Sequence, residues 1–508
     1  HGEFSLAVYD QNAQSVFLAR DHVGSRPLFW SVQGDEVLFS SLLRGITAFT
    51  DIDWAISEHG VAHYLAYPQY PSSDTFWRDI EAVQPGHWVC IKKGSVTRQR
   101  WWSPQGHLEN TGISKADALD GVRHFTEQAV HNRILPGDRL GSHISGGIDS
   151  TVVTTLAVQR LREHGMDLAG AYTWSPTLGG DYAEMADDER SVIANQSRSL
   201  GIEPTFGSAD ASQFEELIAR PMELEGTADL ADELSVIRCA KADGVNAMLS
   251  GWGGDELFSN HAIGYFASLL RTGRLRQAAT FIRARGGHRQ PWRTLQYLWR
   301  AGVVPNLPNA IYSKFNPFVD LRMSDGFLSP DLKALLKPAD RPTRIRLVAD
   351  ADAYLHRLIH NGHIGERMAT WAAWSSDAGF EYRYPLTDRR LWEFMLSLPA
   401  ALRFGQGKPR FLAHKAFANV LPKGLSKADV ANEKRRYDAR LQWWRMLADD
   451  ARGGRFDSPC DWLDMNRLRR AITDPIPSDE TRQIVTFVHI FMAMRVWAMY
   501  ERQKIHVA

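Results

Sequence analysis

At 508 residues the chain is too long for a single hydrophobic core, so two or three domains are expected. Its 59 basic and 59 acidic residues cancel, which argues against wholesale coating of nucleic acid while leaving local patches open. Cys90, Cys239 and Cys460 stand far apart, with no CxxC pair or other metal-ligand spacing, and fit buried thiols in a reducing compartment.

Residues 1 to about 102 read as β. The runs Phe4 to Tyr9, Ser15 to Ala19 and His87 to Ile91 are short and apolar or alternating, separated by turn residues such as Gln33-Gly34-Asp35. No signal-peptide pattern opens the chain at His1-Gly2-Glu3-Phe4. A polar stretch, Ser103 to Gly112, reads as a linker, so the expected division is 1–102, a linker at 103–114, and 115–508. Beyond it helices and short strands alternate. Helix is expected at 116–134, 150–164 and 188–200, and strand at 140–144, 168–173 and 247–250. That alternation predicts an α/β domain with a parallel sheet. After Asp255 the chain reads as almost entirely helical. Arg271 to Arg300 carries eight arginines and no acid, which suits either a solvated basic face or a docking face for an acidic peptide or partner. The apolar run Ile484 to Tyr500 is broken by His489 and Arg495 and falls short of the roughly 20 residues a bilayer requires. It reads as a buried helix, and a cytoplasmic protein is expected.

The strongest motif is Ser145-Gly146-Gly147-Ile148-Asp149-Ser150, between an expected strand and an expected helix. Glycines there let backbone N–H groups turn inward, and the helix N-terminus adds its positive dipole end, so the loop forms an anion nest. Asp149 would repel a bare phosphate and makes sense with a cation between them, for which Mg²⁺ is the usual choice. The pattern is neither GxxxxGK[ST] nor GxGxxG. A second loop, Ser250-Gly251-Trp252-Gly253-Gly254-Asp255-Glu256, follows the strand at 247–250 and sets Asp255 to share the metal. The loops therefore read as a triphosphate grip bridged by Mg²⁺.

The loop from Ser145 to Ser150 resembles the SGGxDS pyrophosphate loop of the N-type ATP pyrophosphatases. Asp187-Asp188-Glu189, the Ser250 to Glu256 loop, Glu381-Tyr382-Arg383-Tyr384-Pro385-Leu386-Thr387-Asp388 and Leu396-Ser397-Leu398-Pro399 narrow this to the asparagine synthetase-like branch. Gly2-Glu3-Phe4, Ala19 to Leu28 and Phe39-Ser40-Ser41 resemble the interior of that family's glutaminase-type domain. The resemblance implies an N-terminal, sheet-rich, glutaminase-like (Ntn-type) domain followed by an ATP pyrophosphatase domain with a parallel sheet and a large helical C-terminal part. It also implies that the triphosphate is ATP.

Two departures matter. The family's glutaminase begins with a cysteine, whereas this numbering begins at His1 inside the domain; Cys90 sits in an expected strand and reads as a buried thiol. Either an opening segment lies outside this numbering or ammonia production is lost. Trp252 stands where asparagine synthetases have an acid and β-lactam-forming relatives a tyrosine. Together with the arginine-rich helical insertion, it resembles lasso peptide cyclases. These close a macrolactam between a peptide's N-terminal amine and an Asp or Glu side chain.

On that resemblance Ser145, Gly146, Gly147 and Ser150 hold phosphates, Asp149 and Asp255 hold Mg²⁺, and Thr173, Trp174, Ser250, Gly251 and Trp252 line the nucleotide. Glu381 would take the amine's proton, the bland reading being a salt bridge with Arg383. Lys427 would face the adenylate, with Lys423 and Lys434 as nearby alternatives. Expected partners are a precursor peptide and, on the same pathway, a leader-binding protein and a protease, with neither nucleic acid nor membrane. His356, His360 and His363 have metal-like spacing but no acid between them and no clear further ligand, and are declined as a site. An asparagine synthetase would use the same loops on free aspartate. An RNA-modifying pyrophosphatase would need a CxxC or an RNA-binding appendage, and a non-catalytic member should have lost Asp149 or Asp255.

Overall fold

A computed structural model describes all residues except 1, 50, 68–72, 105–108, 178–188, 208, 223–230, 285–290, 309–310, 313–325, 338–349, 361–362, 406–409, 423–429 and 508. The N-terminal part contains β1 (Ser5–Asp10), β2 (Ser15–Arg20), β3 (Phe29–Gln33), β4 (Glu36–Ser40), β5 (Glu81–Ala82), β6 (His87–Lys92) and β7 (Ser95–Arg100), with helices α1 (Leu43–Thr47) and α2 (Glu58–Ala66). An antiparallel sheet β1-β2-β6-β7 faces a smaller one, β4-β3-β5. Leu18, Val89 and Ile91 from the first meet Trp30 from the second, with Leu28 and Val83 beside it. The alternation legible in the sequence thus becomes the filling between two layers.

Helix α3 (Lys115–His131) begins at Ser114, whose side chain accepts the Asp117 N–H, and it buries Ala118, Val122, Ala129 and Val130 at helical spacing. The second part is built on β8 (Leu140–His143), α4 (Ile148–Glu163), β9 (Gly170–Thr173), α5 (Glu189–Leu200), β10 (Pro204–Phe206), α6 (Ser212–Ala219), α7 (Ala231–Ala242), β11 (Ala247–Leu249) and β12 (Glu381–Arg383). These five strands form one parallel sheet in the order β10-β9-β8-β11-β12. The chain steps outward from β8 to β10 and then returns to the other side of β8. The winding direction therefore reverses between β8 and β11, and the crevice at the carboxyl ends of those strands is where such sheets bind ligands.

After Asp255 the described elements are helical, as expected, apart from strand β12. Its three residues are too few to show a period. The C-terminal helix Glu480–Val507 is longer than the run that announced it. By length and composition it could cross a membrane, yet Phe487, Ile490, Phe491, Met494 and Val496 are buried inside the molecule. Both parts share one hydrophobic core: Val23, Val61, Leu65, Phe76 and Trp102 belong to the same buried cluster as Leu140, Leu249 and Trp392. Across the junction the His22 ring packs edge-on against Trp102 and Trp392, and its Nε2 lies 2.8 Å from the Thr387 carbonyl oxygen.

Candidate active site

The loops after β8 and β11 meet at the switch point. Gly147 stands at the N-cap of helix α4 and has no side chain to cap it, so the helix's first N–H groups are left to an anion. Gly146 turns the chain at φ +72°, a conformation L side chains rarely adopt. The Ser145 and Ser150 hydroxyls lie 2.9 Å apart, and Gly147 N donates to Ser145 Oγ at 3.4 Å. From the other side, a Cβ on Gly254 would stand 2.5 Å from Asp149 Cγ, so the second loop touches the first only because that residue is glycine.

Asp149 and Asp255 converge. The Ser259 hydroxyl is 2.8 Å from Asp149 Oδ2 and 3.1 Å from Asp255 Oδ1. Burial, reinforced by the Asp255 charge, pushes the Asp149 carboxyl well above the ordinary range against the pull of Ser259 and Arg410. Burial acts on Asp255 in the same sense, but His261 and Arg410, whose Nη2 is 3.0 Å away, outweigh it and hold that carboxyl below its ordinary value. Asp149 Oδ1 is buried with no hydrogen-bond partner. Among the described residues no group of three or more His, Cys, Asp or Glu is placed to hold an ion. Two converging carboxylates with one unsatisfied buried oxygen fit Mg²⁺, which ordinarily takes one or two protein carboxylates and completes its shell with phosphate oxygens and water.

Beside this pair opens a cavity of about 260 Å³ lined by His143, Ser145, Asp149, Ser150, Trp174, Asp232, Glu233, Ser250, Gly251, Trp252, Asp255, Arg367, Trp371 and Arg436. The structure therefore brings together eight of the residues singled out in the sequence: Ser145, Asp149, Ser150, Trp174, Ser250, Gly251, Trp252 and Asp255. Gly146 and Gly147 shape the turn. Thr173 is fully buried at the end of β9, its hydroxyl oxygen 3.3 Å from Ser175 N, and does not reach the cavity. Lys427 and Lys423 lie outside the described residues, as do Asp187 and Asp188. Lys434 pairs with Asp438 on an exposed helix face.

Glu381 is corrected. It sits beside Ala247 at the amino end of β12, whereas the cavity opens at the carboxyl ends of the strands. Its oxygens meet Arg383 Nε at 2.6 Å and Arg26 Nη2 at 2.9 Å, and it lines a separate recess with Glu3, Arg133 and Asp388. The salt-bridge reading is the one this geometry matches.

Sequence reasoning missed the cavity's back wall. Glu233, almost fully buried, accepts from Trp174 Nε1 at 2.6 Å and from the Tyr382 hydroxyl, and lies 3.1 Å from His143 Nε2. His143 Nδ1 in turn lies 3.1 Å from Ser250 Oγ. Burial and the adjacent Glu233 charge hold the Tyr382 phenol far above its ordinary value, so it stays a donor. Arg367 stacks 4.0 Å over the Trp252 ring and also reaches Trp371. Asp232, held below the ordinary range because Arg436 and Arg435 outweigh its burial, anchors Arg436 at the rim. The available signals were a histidine in a short strand and an acid pair opening an apolar helix, both of which ordinarily report only packing or capping.

Comparison with known proteins agrees with the geometry. Residues 121–498 match the family model described as asparagine synthase, and residues 1–102 match a glutamine amidotransferase domain. Asparagine synthetase [glutamine-hydrolyzing] 3 of Bacillus subtilis is 22% identical over 83% of this chain and 65% of its own length. A putative asparagine synthetase [glutamine-hydrolyzing] 2 of Methanocaldococcus jannaschii is 25% identical over 53% of this chain and 52% of its own. Amidase chry2 of Gibberella zeae is 24% identical over 51% and 40%. The matches thus span between 40% and 65% of these relatives' lengths. With the asparagine synthase model covering most of the sequence and both of its glycine-rich loops facing one crevice, the chain belongs to the asparagine synthase family.

Proposed function

We propose that the chain is an ATP-dependent amide-forming ligase, and that the amide it makes closes a macrolactam in a ribosomally made peptide, between an Asp or Glu side chain and the N-terminal amine. The carboxylate would attack the α-phosphorus of ATP as the bond to pyrophosphate breaks. The amine would then attack the acyl carbon, AMP would leave and the nitrogen would lose its proton. In the first step the start of α4, with the Ser145 and Ser150 hydroxyls, holds phosphate charge, an electrostatic contribution that is generally the largest in such reactions. Asp149 and Asp255 are the residues that would hold Mg²⁺, whose charge would offset that of the departing pyrophosphate. Lys427 remains the proposed cation for the oxyanion of the second step.

The observation that carries the peptide reading is the cavity wall, where Trp174, Trp252 and Trp371 stand with Arg367 stacked on Trp252. Indole faces suit the bulk of a polypeptide. Apart from Asp149 and Asp255, the cavity's charged groups are engaged within its wall, Asp232 with Arg436, Glu233 with Trp174 and Tyr382, and Arg367 on the Trp252 ring, rather than arrayed for the three charges of free aspartate. A second reading, asparagine formation from aspartate and ammonia or glutamine, draws on the names of the Bacillus and Methanocaldococcus relatives. The two are separated by incubation with ATP and Mg²⁺ in the presence of either aspartate and ammonium or candidate precursor peptides. The peptide reading expects loss of one water from a peptide by mass spectrometry and no asparagine above background; robust asparagine formation would overturn it.

A further inference from the structure

The segment that follows the Asp255 loop leaves the active-site crevice and builds a surface of its own. It comprises α8 (Tyr265–Arg271), α9 (Leu275–Ala284) and α10 (Pro291–Tyr297), the last continuing into a π-helical turn at Leu298–Val303. Its inner side is a separate small core in which Tyr265, Phe266, Leu269, Ala278 and Phe281 meet Phe404. The outer side does not follow the usual rule for a solvated helix face. On α10 Trp292 is 70% exposed and Leu295 57%, and Trp299 and Val303 of the π-helical turn that continues it are exposed as well. Leu275, 65% exposed, opens α9, which meets α10 through the stacked Phe281 and Tyr297 rings. Scattered exposed apolar residues need no explanation, but a tryptophan and leucines grouped on one insertion mark an interaction surface.

Charge identifies the partner. Arg271 to Arg300 holds eight arginines, no lysine and no acid. Arg271 pairs with Asp350, whereas Arg274, Arg276, Arg283, Arg293 and Arg300 are exposed and make no ion pair among the described residues. A solvated face would mix signs and favour lysine. Arginine suits phosphate as well as carboxylate, but Arg271 of this run already pairs with the Asp350 carboxylate, and the exposed leucines and tryptophan beside the other arginines call for a partner that brings apolar side chains together with its acids. Arginine with tryptophan, and lysine and acids depleted, is the composition of protein–protein interface cores and their hot spots.

We propose that the outer face of α9 and α10 is a docking site for an acidic amphipathic segment of another polypeptide, whose apolar stripe covers Leu275, Trp292 and Leu295 while its carboxylates meet Arg274, Arg276, Arg283 and Arg293. Arginine suits this because its planar fork binds carboxylates in pairs and stacks on aromatic rings. The α8 helix joins this face to the Asp255 loop, so an occupant is held on the same stretch of chain that leads from Asp255. The site is independent of which carboxylate the crevice activates.

The test is fluorescence anisotropy on the full chain with a labelled helical peptide of Glu and Leu, its leucines along one face. A peptide of the same composition with the leucines scattered, vesicles of phosphatidylcholine and phosphatidylserine, and duplex DNA serve as comparisons. The expected result is binding of the amphipathic peptide that weakens with added salt and falls about tenfold or more in Arg274→Glu/Arg276→Glu and, separately, in Trp292→Ser/Leu295→Ser. Circular dichroism checks that each variant is folded, and a single Trp292→Ser change serves if the double one is not. Equal binding of the scattered peptide, tighter binding to vesicles or DNA, or affinity unchanged in folded variants would each overturn the proposal.

Discussion

The carboxylates at the crevice divide by what surrounds them. Asp149 is buried, repelled by Asp255 and left with one unsatisfied oxygen, an arrangement that costs stability unless a cation arrives. Asp149→Asn should therefore leave the melting temperature of the protein without nucleotide unchanged or higher, abolish its further rise with ATP and Mg²⁺, and lower AMP formation by roughly 10² to 10³ or more. Thermal shift and AMP quantitation check both halves. Glu381 faces Arg26 and Arg383 away from the cavity, so Glu381→Gln should leave pyrophosphate exchange and amide formation within a few-fold of wild type; a selective loss of the amide step would restore it as the base. Glu233 holds the Trp174 indole and, through His143, faces Ser250. Glu233→Gln removes the buried charge and leaves one carbonyl oxygen where two carboxylate oxygens accepted from Trp174 and Tyr382; it should destabilise the fold by about 1–3 kcal/mol in chemical denaturation and raise KM for ATP. The two acids of the loops were legible because their glycine context is local. Glu233, His143, Arg367 and Trp371 were not, because each has an ordinary structural meaning until distant segments are brought together.

Among the elements, strand β8 and helix α4 could be read in advance because a short strand, a glycine turn and a helical period succeed one another within about thirty residues, the length of one βαβ repeat. Strands β10 and β12 escaped notice because three residues carry no period and, unlike the equally short β11, neither leads into a glycine-rich loop that announces it; β12 is held by pairing with β11. A less visible device fixes the helix that follows the Lys427 segment. The buried Glu189 carboxylate accepts Ala431 N–H at 3.1 Å and Asn432 N–H at 2.8 Å, and takes the Ser175 hydroxyl at 2.9 Å. It caps the start of the helix Val430–Arg452 and ties it to the loop after β9. Glu189→Gln should cost roughly 1–2 kcal/mol and speed amide hydrogen exchange at Ala431 and Asn432 more than elsewhere in that helix. Uniform exchange along the helix would show that the cap does not anchor it.

At the scale of the molecule, the shift from β patterning to alternating helix and strand was legible near residue 103, while the depth of the junction was not. His22, lodged between Trp102 and Trp392, and the Glu3 to Arg133 pair join surfaces more than one hundred residues apart in sequence, which no local pattern announces. The whole assembly converges on the crevice between β8 and β11, where we propose that a carboxylate is activated by adenylation. Oxygen-18 tracing tests this directly, with the label placed in the side-chain carboxylate of candidate precursor peptides and, in parallel, in free aspartate with ammonium. Attack of a carboxylate oxygen on the α-phosphorus must leave one labelled oxygen on AMP when the amide forms. The expected result is AMP carrying a single oxygen-18 in step with amide product, absent in Asp149→Asn. Amide formation accompanied by ADP and labelled phosphate, or by unlabelled AMP, would contradict it.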